Sequence, residues 1–251
     1  MIYQLPIYNP FTIAVGPKMQ VKVRSADVRY EANFALPAID LVSSSSSLLR
    51  SVFSKLAPRY TVRSDDVRIT NSPVVSEYRL TVDLFNRNAQ LLVTADKAIL
   101  SYKSLATAED IHVVMDSSAI LLACVKAALT ETRVAQESIS LTVWFTVDDE
   151  AIDSFQTWKS KYLPQPQELV AAMGVRMFAG RRITLQNPEH RWTLDFCLDQ
   201  VWRADNEVLF TVTAIFDAPE PSFQLEEKVK LIQDHMAWLF PSIGLTVVPK
   251  V

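Results

Sequence analysis

The feature that most restricts this chain is alternation of apolar and polar residues at every second position. Val28, Tyr30, Ala32, Phe34 and Leu36 alternate with Arg29, Glu31, Asn33 and Ala35. A period of two sends one residue set to each side of an extended backbone, so the run predicts a half-buried strand. Tyr78, Leu80, Val82 and Leu84 repeat the pattern. Leu91, Val93 and Ala95 continue it beyond Asn86-Arg87-Asn88. Asparagine tolerates positive φ, so this junction predicts a hairpin turn. Leu141, Val143, Phe145 and Val147 form another run. Trp192 to Leu198 and Val208 to Phe216 read as an antiparallel pair joined through 204–207. Strands of this kind build antiparallel sheets with one covered face.

Helical spacing fills the gaps. The serines 43–47 precede Leu48, Leu49, Val52, Phe53 and Leu56, and they predict a helix N-terminus that Pro58 later stops. Ile111, Val114, Met115, Leu122, Val125 and Leu129 predict a long helix, with Asp116-Ser117-Ser118 as a point of interruption. Asp148 or Asp149 caps a helix carrying Ile152, Phe155, Trp158 and Tyr162. Gln167 to Met173 forms a short helix closed by Gly174. Leu225, Val229, Ile232, Met236 and Leu239 mark the strongest helix, with Glu226 and Lys230 paired on its outer side. The expected fold class is therefore α+β. Two pseudo-repeated halves, 1–134 and 135–251, each form a curved antiparallel sheet with helices packed on one face, together making one compact unit. The match between halves is one of pattern, not of identity.

Composition narrows the function. Four glycines in 251 residues cannot assemble the glycine-rich loops that cradle phosphates or dinucleotides. Net charge is −3, which supplies no global attraction to nucleic acid or anionic lipid. The charge is uneven, basic in 1–134 and acidic in 135–251, and opposite signs favour docking within one chain or between two. Cys124 and Cys197 stand alone, without metal-ligand spacing, which fits a reducing compartment. The first ten residues lack a basic leader, and no apolar run is long enough to span a membrane. A cytoplasmic location is expected.

Catalytic chemistry finds little to build on. Only His112, His190 and His235 offer imidazoles, and none sits in a nucleophile–base spacing or a metal motif. His112 near Glu109 and Asp116 reads as a helix surface. Asp195 and Asp199 share a strand face around Cys197, too far apart for an acid–base pair. Arg50, Lys55, Arg59, Arg63 and Arg68 form a basic set around Tyr60, diluted by Asp65 and Asp66, which disfavours nucleic acid. Arg176, Arg181, Arg182, His190 and Arg191 gather around one predicted hairpin and are the candidate ligand-binding residues. Strict alternation with Ile183 and Leu185 turns Arg181 inward. Either Gly180 marks a bulge that turns it out again, or Arg181 reaches a carboxylate in a cleft. No cofactor and no metal is expected.

Val28–Leu36 with its following helix, the segment Gly174–Ile183 and the run Leu209–Phe240 resemble a sporadically distributed, uncharacterised family of bacterial proteins of similar length. In that family an aromatic stands where Phe178 lies and an Asn where Gly180 lies. The resemblance implies a bacterial source and no activity. The alternation of strands and helices also resembles the helix-grip and TATA-box-binding-protein-like folds, and each half resembles a SecB-like unit. These imply architecture only. The expected function is a non-enzymatic protein-binding or assembly module that meets a protein partner or a second copy as a homodimer. The alternative is a helix-grip carrier of an apolar or anionic small molecule, or a ligand-dependent enzyme, with Trp192, Phe196, Trp202, Phe210 and Phe216 lining its cavity.

Overall fold

The computed structural model describes residues 19–39, 45–70, 74–105, 108–129, 133–163, 180–187, 189, 191–200, 205–217 and 225–248. The alternating runs become strands β1 (Met19–Phe34), β2 (Val67–Thr70), β3 (Arg79–Leu84), β4 (Ala89–Thr94), β5 (Lys97–Leu105), β6 (Val134–Thr146), β7 (Gly180–Asn187), β8 (Trp192–Gln200), β9 (Glu207–Asp217) and β10 (Leu245–Val248). The helices are α1 (Ser45–Leu56), α2 (Ala108–Ala128), α3 (Ile152–Tyr162) and α4 (Leu225–Ser242). The protein is α+β with a large antiparallel sheet. Among the described residues, no helix is long and apolar enough to cross a membrane.

The two separate sheets expected from the sequence are one. Ten strands join in the order β2-β3-β4-β5-β1-β6-β9-β8-β7, and β10 pairs with β1. The reason is the length of β1. Its 16 residues carry β5 on one side from Ala26 onward and β6 on the other along most of its course. Both halves therefore share one hydrogen-bonded ladder. β10 runs parallel to the start of β1, with Met19 opposite Leu245 and Lys22 opposite Val248.

Other sequence expectations change in detail. The turn after β3 places Phe85, Asn86 and Arg87 at positive φ, so the left-handed positions extend beyond the asparagines. Helix α2 is not interrupted at Asp116-Ser117-Ser118. Ser117 and Ser118 are buried there, and their hydroxyls hydrogen-bond with Tyr102 of β5. Asp148 makes no side-chain capping bond to the turn that precedes α3. Its carboxylate instead accepts from Lys22 Nζ at 2.8 Å. The segment 164–179, with the expected helix closed by Gly174, lies outside the described residues.

The helices cover one face of the sheet. The Tyr102 contacts fix α2 on that face, and α1 packs on α2. Phe240 of α4 packs edge-on against Phe145 and Phe210, with ring centroids 5.6 and 4.9 Å apart. Trp158 of α3 donates its indole N–H to the Ile243 carbonyl at 2.8 Å. The inward rows of β3, β4, β5, β1, β6, β8 and β9 are buried in one continuous core. At about 25 cal/mol per Å² of apolar surface, this layer is the main stabilising contribution.

Candidate functional site

Two places depart from a plain hydrophobic layer. The first lies inside it. Glu137 of β6 is 2% exposed and Lys228 of α4 is 3% exposed, and they form an ion pair. The Tyr30 hydroxyl of β1 donates to the other carboxylate oxygen. The Lys228 ammonium also lies over the Phe216 ring, 5.2 Å from its centroid, within the ~6 Å reach of a cation–π contact. Burial pushes the Lys228 ammonium down, to about 8, and the charge of Lys126 on α2 adds to the effect. The Glu137 carboxylate beside it favours the charged ammonium. Burial likewise pushes the Tyr30 hydroxyl well above its usual range, so it acts as a donor. Each ionic group has a partner and none meets solvent. The cluster ties α4 to the β1–β6 seam and offers no open position for a substrate. Sequence periodicity missed it, because Lys228 neighbours the apolar stripe of α4 and reads as a surface lysine.

The second place is the opposite face of the sheet. Ladder register puts Ser101, Arg29, Ser140, Thr213 and Asp195 in one row across it. The hydroxyls of Ser140 and Thr213 hydrogen-bond at 3.1 Å, and those of Thr142 and Thr211 lie 3.4 Å apart. Gln136 donates to Asp217 at 2.8 Å. On this face β6 carries Gln136, Ser138, Ser140, Thr142, Trp144 and Thr146, and therefore no charge.

Charges are sorted on either side of that neutral strip. On the β1-to-β2 wing, Lys22, Arg24, Arg29, Lys97, Lys103, Arg79 and Arg68 face Asp27, Glu31 and Asp83, seven described cations to three carboxylates. On the β9-to-β7 wing, among the described side chains, Arg182 is the one cation against Asp195, Asp199, Glu207 and Asp217, and Glu207 is also paired across β6 with Arg24 of β1. Several charges are paired within the wing. Glu31 accepts from Arg29 and Lys97, and these bonds hold its carboxyl below the usual range despite partial burial, which acts the other way. Arg68 pairs with Asp83, to which Gln90 also donates at 2.8 Å. Arg79 and Lys103 are exposed.

Of the cluster expected from the sequence, the structure describes the side chains of Arg182 and Arg191. Arg176 and His190 lie outside the described residues, as does the side chain of Arg181. The ladder from Gly180 to Asn187 pairs with β8 without a shift in register, which places Arg181 opposite Leu198 and leaves no bulge inside the strand. Arg182 is exposed on the face opposite the described helices and pairs with Asp195. That bond, with one from Thr184, holds the Asp195 carboxyl below its usual range. Arg191 occupies the turn before β8 with φ of 50°. Its carbonyl accepts from the Asp217 backbone N–H at 3.0 Å. Arg182 and Arg191 thus lie on one strand face and in one turn.

Metal and nucleophile chemistry gains nothing further. Among the described residues, no group of three or more His, Cys, Asp and Glu side chains gathers as a metal would need. His235 packs its ring edge against Trp192, with centroids 5.4 Å apart. Cys197 donates to Asp199 at 3.3 Å, and burial together with that carboxylate pushes its thiol up to about 11, which disfavours the reactive thiolate.

Of the aromatic strand residues expected to line a cavity, Phe196 and Phe210 pack on each other, Trp192 meets His235 and Phe216 lies beneath Lys228. Phe196 stacks on Phe210 with centroids 6.1 Å apart, and Phe210 meets Phe145 and Phe240. The space left beside Ile183, Phe196, Leu198, Phe210, Leu239 and Ile243 is about 20 Å³, room for about one water molecule. Trp202 lies outside the described residues. A shallow surface groove of about 320 Å³ runs over Leu185, Asp234, His235 and Trp238.

No protein-family model matches this chain, and no curated protein does. The resemblance to a bacterial family therefore gains no support. Among solved structures the chain is similar to Methanococcus jannaschii TBP, with 10% identity, a TM-score of 0.28, and coverage of 90% of this chain and 98% of that one. This is a weak likeness of overall layout alone.

Proposed function

We propose that this chain is a non-enzymatic binding or assembly module whose working surface is the uncovered face of the sheet. The observation that carries the reading is the asymmetry between faces. The sheet contacts of α2 and α4 fall on one side, while the other side presents a broad surface of hydroxyls and sorted charges. The buried polar cluster is sealed, and the aromatic residues fill the core, so neither supports a carrier or an enzyme as well. The free cysteines Cys124 and Cys197 support a reducing, cytoplasmic setting.

The same reading takes the chain as a duplicated unit. Outward from β1 the order is β5, β4, β3; outward from β6 it is β9, β8, β7. In each half the last strand of the meander returns to pair with the first, and a long helix follows.

Thr213→Arg, at the centre of the face, tests the reading. Circular dichroism and melting temperature should stay near those of the parent. Proteins that co-elute with the parent chain from extract, and self-association, should both be lost. If both persist at parental levels, the face is not the working surface.

A further inference from the structure

We infer that the uncovered face receives a second copy of the same chain, face to face, with the basic wing of each copy over the acidic wing of the other. The inference rests on the binding-face reading above and names its partner. Three observations lead to it.

The first is the sorting of charge. An excess of cations on the β1-to-β2 wing and of carboxylates on the β9-to-β7 wing makes the face its own complement. A two-fold axis turns such a surface onto itself with every contact made twice. A partner of uniform charge would meet repulsion on one wing.

The second is register. Place the axis along β6, the neutral strip. β1 of one copy then lies over β9 of the other, and β5 lies over β8, because each pair stands equally far from β6 in the strand order. Rotation about an axis parallel to the strands preserves height along them. The row through Ser101 also passes through Asp195, and Lys103 is two residues further along β5. Two residues further along β8, in the matching direction, is Cys197, flanked on the same face by Asp195 and Asp199. Lys103 therefore comes over the interval between two carboxylates. The bulge beside it is fixed by Asp27, which accepts from the Ser104 N–H at 2.9 Å.

The third is area. Three strands on each side of β6 overlap. At about 4.8 Å between strands and about 3.3 Å per residue, the overlap covers about 700 Å² on each copy, close to the roughly 800 Å² per partner of a stable interface. Two aligned sheets pack this way in β-sandwiches.

The experiment is a charge exchange read by sedimentation equilibrium on the full chain. The parent should be a dimer at micromolar concentration in about 0.05 M salt, and should weaken at about 0.5 M, where screening shortens to a few ångströms. Lys103→Glu and Asp199→Lys should each raise the dimer dissociation constant about tenfold or more, because each introduces like charge at two symmetric contacts. The double variant K103E/D199K restores opposite charge at both, and should return to within about threefold of the parent. A 1:1 mixture of the two single variants should form mixed dimers. Mere loss of folding would not be rescued in this way.

A parent that is monomeric at micromolar concentration and low salt overturns the inference, as does a double variant no better than the singles. If Thr213→Arg still strips co-eluting protein from a monomeric parent, the face binds another partner and only the self-pairing falls. If Thr213→Arg changes neither, the binding-face reading falls with it.

Discussion

Lys228 and Glu137 show why a single residue can carry the seam. Both are nearly inaccessible, so each is tolerable only because the other is there. Lys228→Met should cost about 3–5 kcal/mol, since it strands the Glu137 carboxylate in an apolar layer. Glu137→Gln should cost less, because the Tyr30 hydroxyl can still donate to the amide oxygen. Combining Lys228→Met with Glu137→Leu removes both charges and should recover most of the loss. Urea unfolding of the four proteins checks this. A double variant as unstable as Lys228→Met alone would mean that lost packing, not a stranded charge, sets the cost. None of this was legible in the sequence. A lysine beside a helical apolar stripe ordinarily sends its ammonium to water, and only the three-dimensional approach of β1, β6 and α4 reveals its partner. Arg182 shows the converse. The sequence reads it as a candidate ligand residue, and the structure pairs it with Asp195 of the adjacent strand. Arg182 stands opposite Cys197 and reaches Asp195 on the diagonal, a pairing that becomes visible only once register is known.

Elements were more legible than their ends. Alternation located the cores of β1, β3, β4, β6, β8 and β9, because a period of two survives whatever a strand packs against. The expected strand over 60–70 shortens to β2, preceded by a 3-10 turn at Ser64–Asp66. The terminal helix runs through Pro241 into its last turn. Scarce glycine makes each one informative, and the sequence singles out Gly174 and Gly180. Gly244 is the described glycine at positive φ, 72°. It ends α4 and lets β10 turn back toward β1, where the Met19 N–H donates to its carbonyl at 2.8 Å. A Cβ there would meet only ordinary contacts, the nearest being Tyr162 Oη at 3.6 Å. The cost of Gly244→Ala is thus conformational, about 1 kcal/mol. Differential scanning calorimetry should show a drop of a few degrees with an intact fold. No drop at all would mean that the α4–β10 turn tolerates a left-handed alanine freely.

At the scale of the molecule, the repeat pattern suggests two halves, and the ladder argues that they do not part. β1 belongs by sequence to the first half, yet it pairs with β6 from Lys22 to Phe34 and with β10 from Met19 to Lys22. Removing residues 134–251 would strip one side of β1 along most of its length and uncover Tyr30, Ala32 and Val21, which are buried in the whole chain. A long edge with free N–H and C=O groups beside an open apolar row is an aggregation template. The sequence could not reveal this, because alternation specifies which face of a strand is buried and not which strand lies beside it. The 1–133 fragment alone should therefore give poor near-ultraviolet dichroism and form large assemblies, and 134–251 should do likewise. Co-expressed, the two fragments should associate through the β1–β6 ladder and regain a cooperative transition. The intact chain should unfold in one step in urea, by fluorescence and by far-ultraviolet dichroism alike. Two resolved transitions, or a well-folded monomeric 1–133, would make the halves separable domains that share a sheet without needing it.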